Sequence, residues 1–254
     1  MEIEFNNAVP DNDQVNELLT EFSLGEIKIQ SYGQDGLALR LKDIDNETRQ
    51  AILDKINDIY AIKESNFQSI GPTIGLELRQ KSITAIIVVI AAIILYITWA
   101  FRKATLGPLN SWFYGLGAIA ALIHDIVIIT GLYAVLGKFL NVEVDSMFVT
   151  ALLTVLGFSV HDTIVVYDRI REGLKKTYGD NFEKVVNQSI NDTVIRSLNT
   201  SLTTLFVLLA LFLFGGYSIR YFVLALIGGV IIGTYSSIFV ASPLLVSWQK
   251  LRKK

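Results

Sequence analysis

Three places in this sequence set ionisable side chains inside apolar runs, where they are costly unless they do something. Asp125 follows His124 in "GLGAIAALIHDIVIITG", and Asp162 follows His161 in "GFSVHDTIVVY". Arg196 opens a polar stretch with Asn199, Thr200, Ser201, Thr203 and Thr204 in "VIRSLNTSLTTLF". A charge at the centre of a bilayer costs about 2.5 to 3.5 kcal/mol on insertion scales, so it faces a partner or a water-filled cavity. Asp162 lies roughly 9 Å of helix from the charged edge at Asp168, and Arg196 about 7 Å from a polar helix start near Asn191. The matched depths predict an Asp162–Arg196 pair. Arg196, Thr200 and Thr203 or Thr204 share a helical face, so a donor-rich stripe is expected to look toward that aspartate. An aspartate released from its arginine loses the charge that keeps it ionised and takes up a proton from an outer water path more readily. Each proton crossing 100 mV supplies about 2.3 kcal/mol, enough to bias a conformational equilibrium of a few kcal/mol. A static salt bridge knitting two helices is the competing reading. For His124 with Asp125 the alternatives are an interhelical hydrogen-bond node and a proton-handling role.

Other chemistries find no support. The 254 residues include no cysteine and only two histidines, without HExxH or similar spacing, so no thiolate, disulfide or metal site is expected and no cofactor is implied. With a net charge of -2 and no Lys/Arg-rich tract, nucleic acid is not an expected partner. No catalytic constellation stands out.

The elements that must position these residues are legible as apolar runs. Although the whole chain is 52% hydrophobic, residues 1–81 have an ordinary soluble composition, and runs at 82–101, 112–137, 147–167, 197–216 and 221–248 each supply the roughly 20 residues a membrane helix needs. The last run is long and expected to tilt or break near Pro243. Arg102, Lys103, Arg169, Arg171, Lys175, Lys176, Lys184 and the basic tail at 250–254 fall on one side; the opposite loops hold only Lys138 and Arg220. The basic side is cytoplasmic, which places residues 1–81 outside. A polar domain of that length needs an export signal or a preceding helix, so the sequence reads as truncated.

That domain reads as an open-faced α/β sandwich. Two helices are expected, one with the stripe Val15, Leu18, Leu19 and Phe22 behind a cap at Asp11 or Asn12, the other burying Ile52, Leu53, Ile56 and Ile59. Two or three strands, including "EIKIQSYG" and "GLALRLKD", complete it. Gly71, Pro72 and Gly75 suit a shaped hinge into the membrane. Ala225, Gly229 and Gly233, four apart and continued by Ser237 and Ala241, mark a face of the last helix that packs closely. The amphipathic segment 171–192, with Phe182, Val185, Val186 and Ile190 on one side, reads most simply as a cytoplasmic tether between spans; lying along the cytoplasmic surface against membrane lipids, or touching a soluble partner, are the alternatives.

Several long motifs, "GPTIGLELRQKSI", "IHDIVIITG", "GFSVHDTIVVYDRIREG", "VNQSINDTVIRSLNTSLTTLFVLLALFLFGG" and "GGVIIGTYSSIFVASPLL", resemble the SecF members of the SecD/SecF family, protein-export subunits of the RND-like superfamily. The resemblance runs from about Met1 to the last span. It implies an RND-like transmembrane bundle with a small α/β extracytoplasmic domain, in the cytoplasmic membrane, with no enzymatic activity. It further implies assembly with SecD and the SecYEG channel, and use of the proton motive force to draw translocating polypeptides outward. In the family the positions matching Asp162, Arg196 and Thr200 are implicated in proton passage, with a further aspartate from SecD. Two departures stand out: the family's usual first helix, with the segments flanking it, has no counterpart, giving five helices rather than six, and His161 stands where the family usually has Asn. An RND-like transporter of lipids or small molecules, and a purely structural translocon scaffold, are the alternative readings.

Overall fold

Short-range alternation organises the first 80 residues. In a computed structural model describing residues 1–6, 9–22, 24–25, 27–32, 35–41, 44–66, 72–101, 109–140, 142–176 and 181–252, the chain divides into two compact units, Met1–Gln80 and Lys81–Lys254. In the first, β1 (Glu2–Phe5), β2 (Lys28–Tyr32), β3 (Gly36–Arg40) and β4 (Ile62–Asn66) form an antiparallel sheet of order β2-β3-β1-β4. Ile3 and Phe5 of β1 and Leu37 and Leu39 of β3 point to one face, because side chains alternate along a strand. Helices α1 (Asn12–Leu19) and α2 (Asn46–Ile59) cover that face with Val15, Leu19, Ile52 and Ile56. Asp11 caps α1 in a capping box with Gln14, and Asp45 caps α2 by accepting from the Thr48 N–H at 2.9 Å.

Two expectations for this unit are corrected. The sheet has four strands rather than two or three: β4 is a polar edge strand, "IKESN", whose Lys63 bonds Glu4 at 3.6 Å, and such an edge lacks the apolar alternation that marks its neighbours. Ile59 is 55% exposed although its spacing from Ile52 and Ile56 puts it on their side of the helix; it is the last residue of α2. Gly71 lies outside the described residues. Pro72 is the first residue of α3 (Pro72–Ala100) and Gly75 falls in that first turn, so both are helical, and proline at this position gives up only an N–H that had no helical partner.

In the second unit five helices are long and apolar enough to cross a membrane: Leu76–Ala100, Ser111–Leu140, Ser146–Lys176, Phe182–Phe214 and Arg220–Arg252. The first is the apolar part of α3; the next three are α4 (Ser111–Leu140), α5 (Ser146–Lys176) and α6 (Phe182–Phe214). The fifth is composite: α7 (Arg220–Ser236), a π-helical turn (Ser237–Ala241) and α8 (Ser242–Arg252). Pro243 explains the π turn, since it has no N–H for the carbonyl four residues back, and the helix widens where its ladder is interrupted. Side chains bind two carbonyls there: the Ser242 hydroxyl donates to Ser237 O at 2.9 Å and the Tyr167 hydroxyl to Ala241 O at 3.1 Å.

The helices outrun the apolar runs. The described residues of segment 171–192 belong to the end of α5 and the start of α6, where Phe182, Val185 and Val186 are buried with Ile170 and Leu174. The helical period of apolar residues simply continues past the charged edge. Arg169 bridges the two helices, donating from Nε to Asp192 at 3.0 Å, and Lys250 of α8 meets Glu183 at 2.8 Å.

The α5–α7 contact is the tightest in the bundle. A Cβ on Gly229 would overlap the Val155 side chain, and one on Gly233 would come within 2.9 Å of Ser159 Cβ. Ala225 is fully buried on the same face of α7, and Ser237 and Ala241 are buried beyond it. In lipid, close backbone approach through small residues replaces the hydrophobic drive that assembles helices in water.

Candidate functional site

Asp125 belongs to the inward stripe of α4, between Ala121 and Ile129 at helical spacing, and is 0% exposed. Its Oδ2 accepts from Ser159 Oγ of α5 at 2.5 Å and from Ser236 Oγ of α7 at 2.8 Å. Its Oδ1 lies 3.0 Å from His124 Nδ1. Gly233 makes this cluster possible, since the close approach of α7 to α5 brings Ser159 and Ser236 to one carboxylate oxygen. The His124 ring, its side chain 29% exposed, stacks against Tyr235 with centroids 6.2 Å apart.

Asp162 repeats the arrangement on α5. It is 8% exposed; Oδ1 accepts from Ser197 Oγ of α6 at 2.5 Å and Oδ2 from the Ser237 hydroxyl of the π turn. One helical turn along α6, the Ser201 hydroxyl shares a hydrogen bond with Thr234 of α7. Ser236 and Ser237, adjacent in sequence, thus each hold a different carboxylate.

The expected Asp162–Arg196 ion pair does not form. Successive residues on an α-helix are turned by about 100°, so with Ser197 and Ser201 facing inward, Arg196, Asn199, Thr200 and Thr203 fall on the exposed side, with Thr204 at its margin. Thr200, Thr203 and Thr204 spend their hydroxyls on the carbonyls of Arg196 and Thr200, at 2.9 to 3.0 Å. His161 is exposed on α5 while its neighbour Asp162 points in. Arg196 stands one residue out of phase with the side of α6 that meets Asp162.

Serines 159, 197, 236 and 237 are the functional residues that the sequence reading missed as ligands of the carboxylates. A signal existed: Ser159 stands three residues before Asp162 on its face, Ser197 adjoins Arg196, and "SS" interrupts the apolar run "IIGTYSSIFVA".

Chemically, these are two carboxylates in a bilayer-spanning bundle, each met by hydroxyl donors from two other helices. Among the described residues neither has a lysine or arginine within 4.0 Å. A hydrogen bond to a charged group contributes about 1.5 to 3 kcal/mol, and a serine hydroxyl can accept as well as donate, so the same contacts serve an ionised or a protonated acid. Among the described residues no group of three or more His, Cys, Asp or Glu is arranged to hold a metal ion.

Residues 50–251 match the family described as protein export membrane protein SecD/SecF, C-terminal. A protein translocase subunit SecF from Thermobaculum terrenum is 46% identical over 98% of this chain and 81% of its own length. The crystal structure of SecDF, a translocon-associated membrane protein from Thermus thermophilus, superposes with a TM-score of 0.84 at 34% identity, covering 98% of this chain and 33% of that one. SecDF in a super-membrane-facing form gives 0.66 at 31% identity, covering 99% and 34%. The chain therefore spans about a third of the length of those SecDF structures.

Proposed function

The chain belongs to the SecD/SecF family, as a multi-pass protein of the cytoplasmic membrane with a small extracytoplasmic domain, and from that premise we propose that it couples proton entry to polypeptide export. Its place is in the Sec protein-export pathway, as a translocase subunit rather than an enzyme. In this reading it works with a SecD partner beside the SecYEG channel, drawing translocating polypeptides outward at the expense of the proton motive force.

One observation carries the reading. Arg196 lies within a membrane-spanning helix, yet faces out of the bundle, one residue from the serine that binds Asp162. A guanidinium at the edge of an apolar run is favoured by an anion beside it, and none of this chain's described carboxylates lies within 4.0 Å of it. A carboxylate on a helix of the SecD partner would complete the site at the subunit interface. Protonation of Asp162 weakens its charge-assisted bonds to Ser197 and Ser237 and frees α6 to turn by about 100°; release of that proton to the opposite side restores the carboxylate, with which Arg196, now in the place of Ser197, pairs. A proton moving through 100 mV supplies about 2.3 kcal/mol toward that exchange.

The test is export of a secreted polypeptide into vesicles containing this chain, its SecD partner and the channel, with and without a proton gradient. Asp162→Asn, at matched abundance of assembled complex, is expected to abolish the gradient-dependent part of export and leave the remainder. Export that still responds fully to the gradient would sink the role of Asp162, and a defect confined to assembly would favour a scaffold.

A further inference from the structure

Asp125 has no part in the mechanism above, yet it is the more deeply buried of the two carboxylates and has the fuller set of partners. The groups facing it are few. From its own helix comes His124; from α5, the Ser159 hydroxyl, with Asp162 one turn on and His161 turned outward; from α7, Ser236, with Tyr235 stacked on His124. Residues 112–137, 147–167 and 221–241 contain no lysine or arginine, so no fixed positive charge on these stretches balances the carboxylate.

We propose that His124 and Asp125 form a second proton-holding site, coupled to Asp162 through the adjoining Ser236 and Ser237. One proton on the Nδ1···Oδ1 contact makes the pair neutral overall, and it rests on the acid, because a neutral acid beside a neutral imidazole buries no charge in hydrocarbon. Losing that proton leaves an uncompensated carboxylate in the membrane, and adding a second leaves an uncompensated imidazolium, both costly in hydrocarbon. The pair therefore holds one proton and passes one only when water or a partner reaches His124, whose ring borders the bundle surface. When the proton sits on Asp125, the acid donates and its Oδ2 becomes a weaker acceptor for Ser159 and Ser236. The peptide joining Ser236 to Ser237 carries that relaxation to Asp162, and the adjacent π turn, with its interrupted ladder, gives the two serines room to shift. The coupling rests on the proton-driven reading above; the site itself does not.

Infrared difference spectroscopy of the carboxylic-acid C=O stretch, on the full chain in lipid nanodiscs titrated with pH, separates the two. Wild type is expected to show a band that is lost in Asp125→Asn and kept in Asp162→Asn. Identical bands in wild type and Asp125→Asn would overturn the site. Should Asp125→Asn fail to fold, Ser236→Ala decides the matter: removal of a donor raises the frequency of the Asp125 band, and no shift counts against the site. Ser237→Ala, which removes a hydroxyl bonded to Asp162 and to Thr234 O but not to Asp125, is expected to shift the frequency of the Asp125 band. A band that does not move would overturn the coupling while leaving the site. Failure of proton-driven export with the Asp125 band intact would instead count against the mechanism at Asp162.

Discussion

The two units of this molecule differ in what they bury beside apolar side chains and in what they leave outside. Among the described residues of Met1–Gln80, every buried side chain is apolar, from Ile3 to Ile56. In Lys81–Lys254 apolar residues such as Tyr114 and Tyr167 are joined in the interior by Asp125, Asp162, Thr163, Thr193, Thr234 and a series of serines, while Leu95, Trp99, Val127, Phe206 and Phe214 are exposed. The solvent accounts for the difference. Water makes hydrocarbon seek the interior of the first unit, whereas lipid removes that drive and leaves polar contacts and tight packing to hold the second.

The comparison breaks most readily at the apolar core of the first unit. Ile56→Ala is expected to cost it about 2 to 5 kcal/mol, read by hydrogen exchange on the full chain, because a fully buried side chain leaves a cavity. Ile59→Ala, on the same helix but exposed, is expected to change stability by no more than about 0.5 kcal/mol. Similar losses at both positions would mean that the sheet face is not what α2 covers.

A smaller effect is expected in the bundle, and from adding a methyl rather than removing several. Gly229→Ala forces α7 away from Val155 and costs about 1 to 3 kcal/mol in a detergent or lipid unfolding assay. Val155→Ala in the same chain should return most of that loss. Lack of rescue would show that the α5–α7 approach is not set by this pair.

The smallest effect is electrostatic and lies in water. The hydrogen bond from Thr48 holds the Asp45 carboxyl below the ordinary aspartate pKa. A carboxyl lowered by folding stabilises the folded state above its unfolded pKa, and that contribution fades as pH falls through the folded value. Asp45→Ala should therefore weaken the first unit at neutral pH and approach wild type in acid. A pH-independent difference would assign the loss to helix propensity alone.

Legibility follows the same division. Five apolar runs declared the spans, and alternation declared β2, β3 and both small helices. The polar edge strand β4 was missed because its Lys63 and Glu64 mask the strand pattern. In the membrane, depth could be counted from charged edges, which singled out Asp162 and Arg196, and Ser197 beside Arg196 does meet Asp162. Azimuth could not: inside and outside are both apolar there, so nothing in "VIRSLNTSLTT" announced that Ser197 rather than Arg196 faces the aspartate. Nor could periodicity anticipate that two consecutive serines serve two different acids, because the π turn that begins at the second of them departs from the ordinary helical count.

That turn makes the last span a matter of arithmetic. A π turn carries about one residue more than an α turn, so everything after Ala241 is offset by roughly 100° from where an uninterrupted helix would put it. Leu245 and Gln249 owe their places in the interior to that offset, and Lys250 its reach to Glu183. The cytoplasmic end of the bundle is thus keyed to the number of residues between Ser237 and Ala241 as much as to their identity: a chain one residue shorter there would keep its composition and its hydropathy, yet turn a different face to its neighbours.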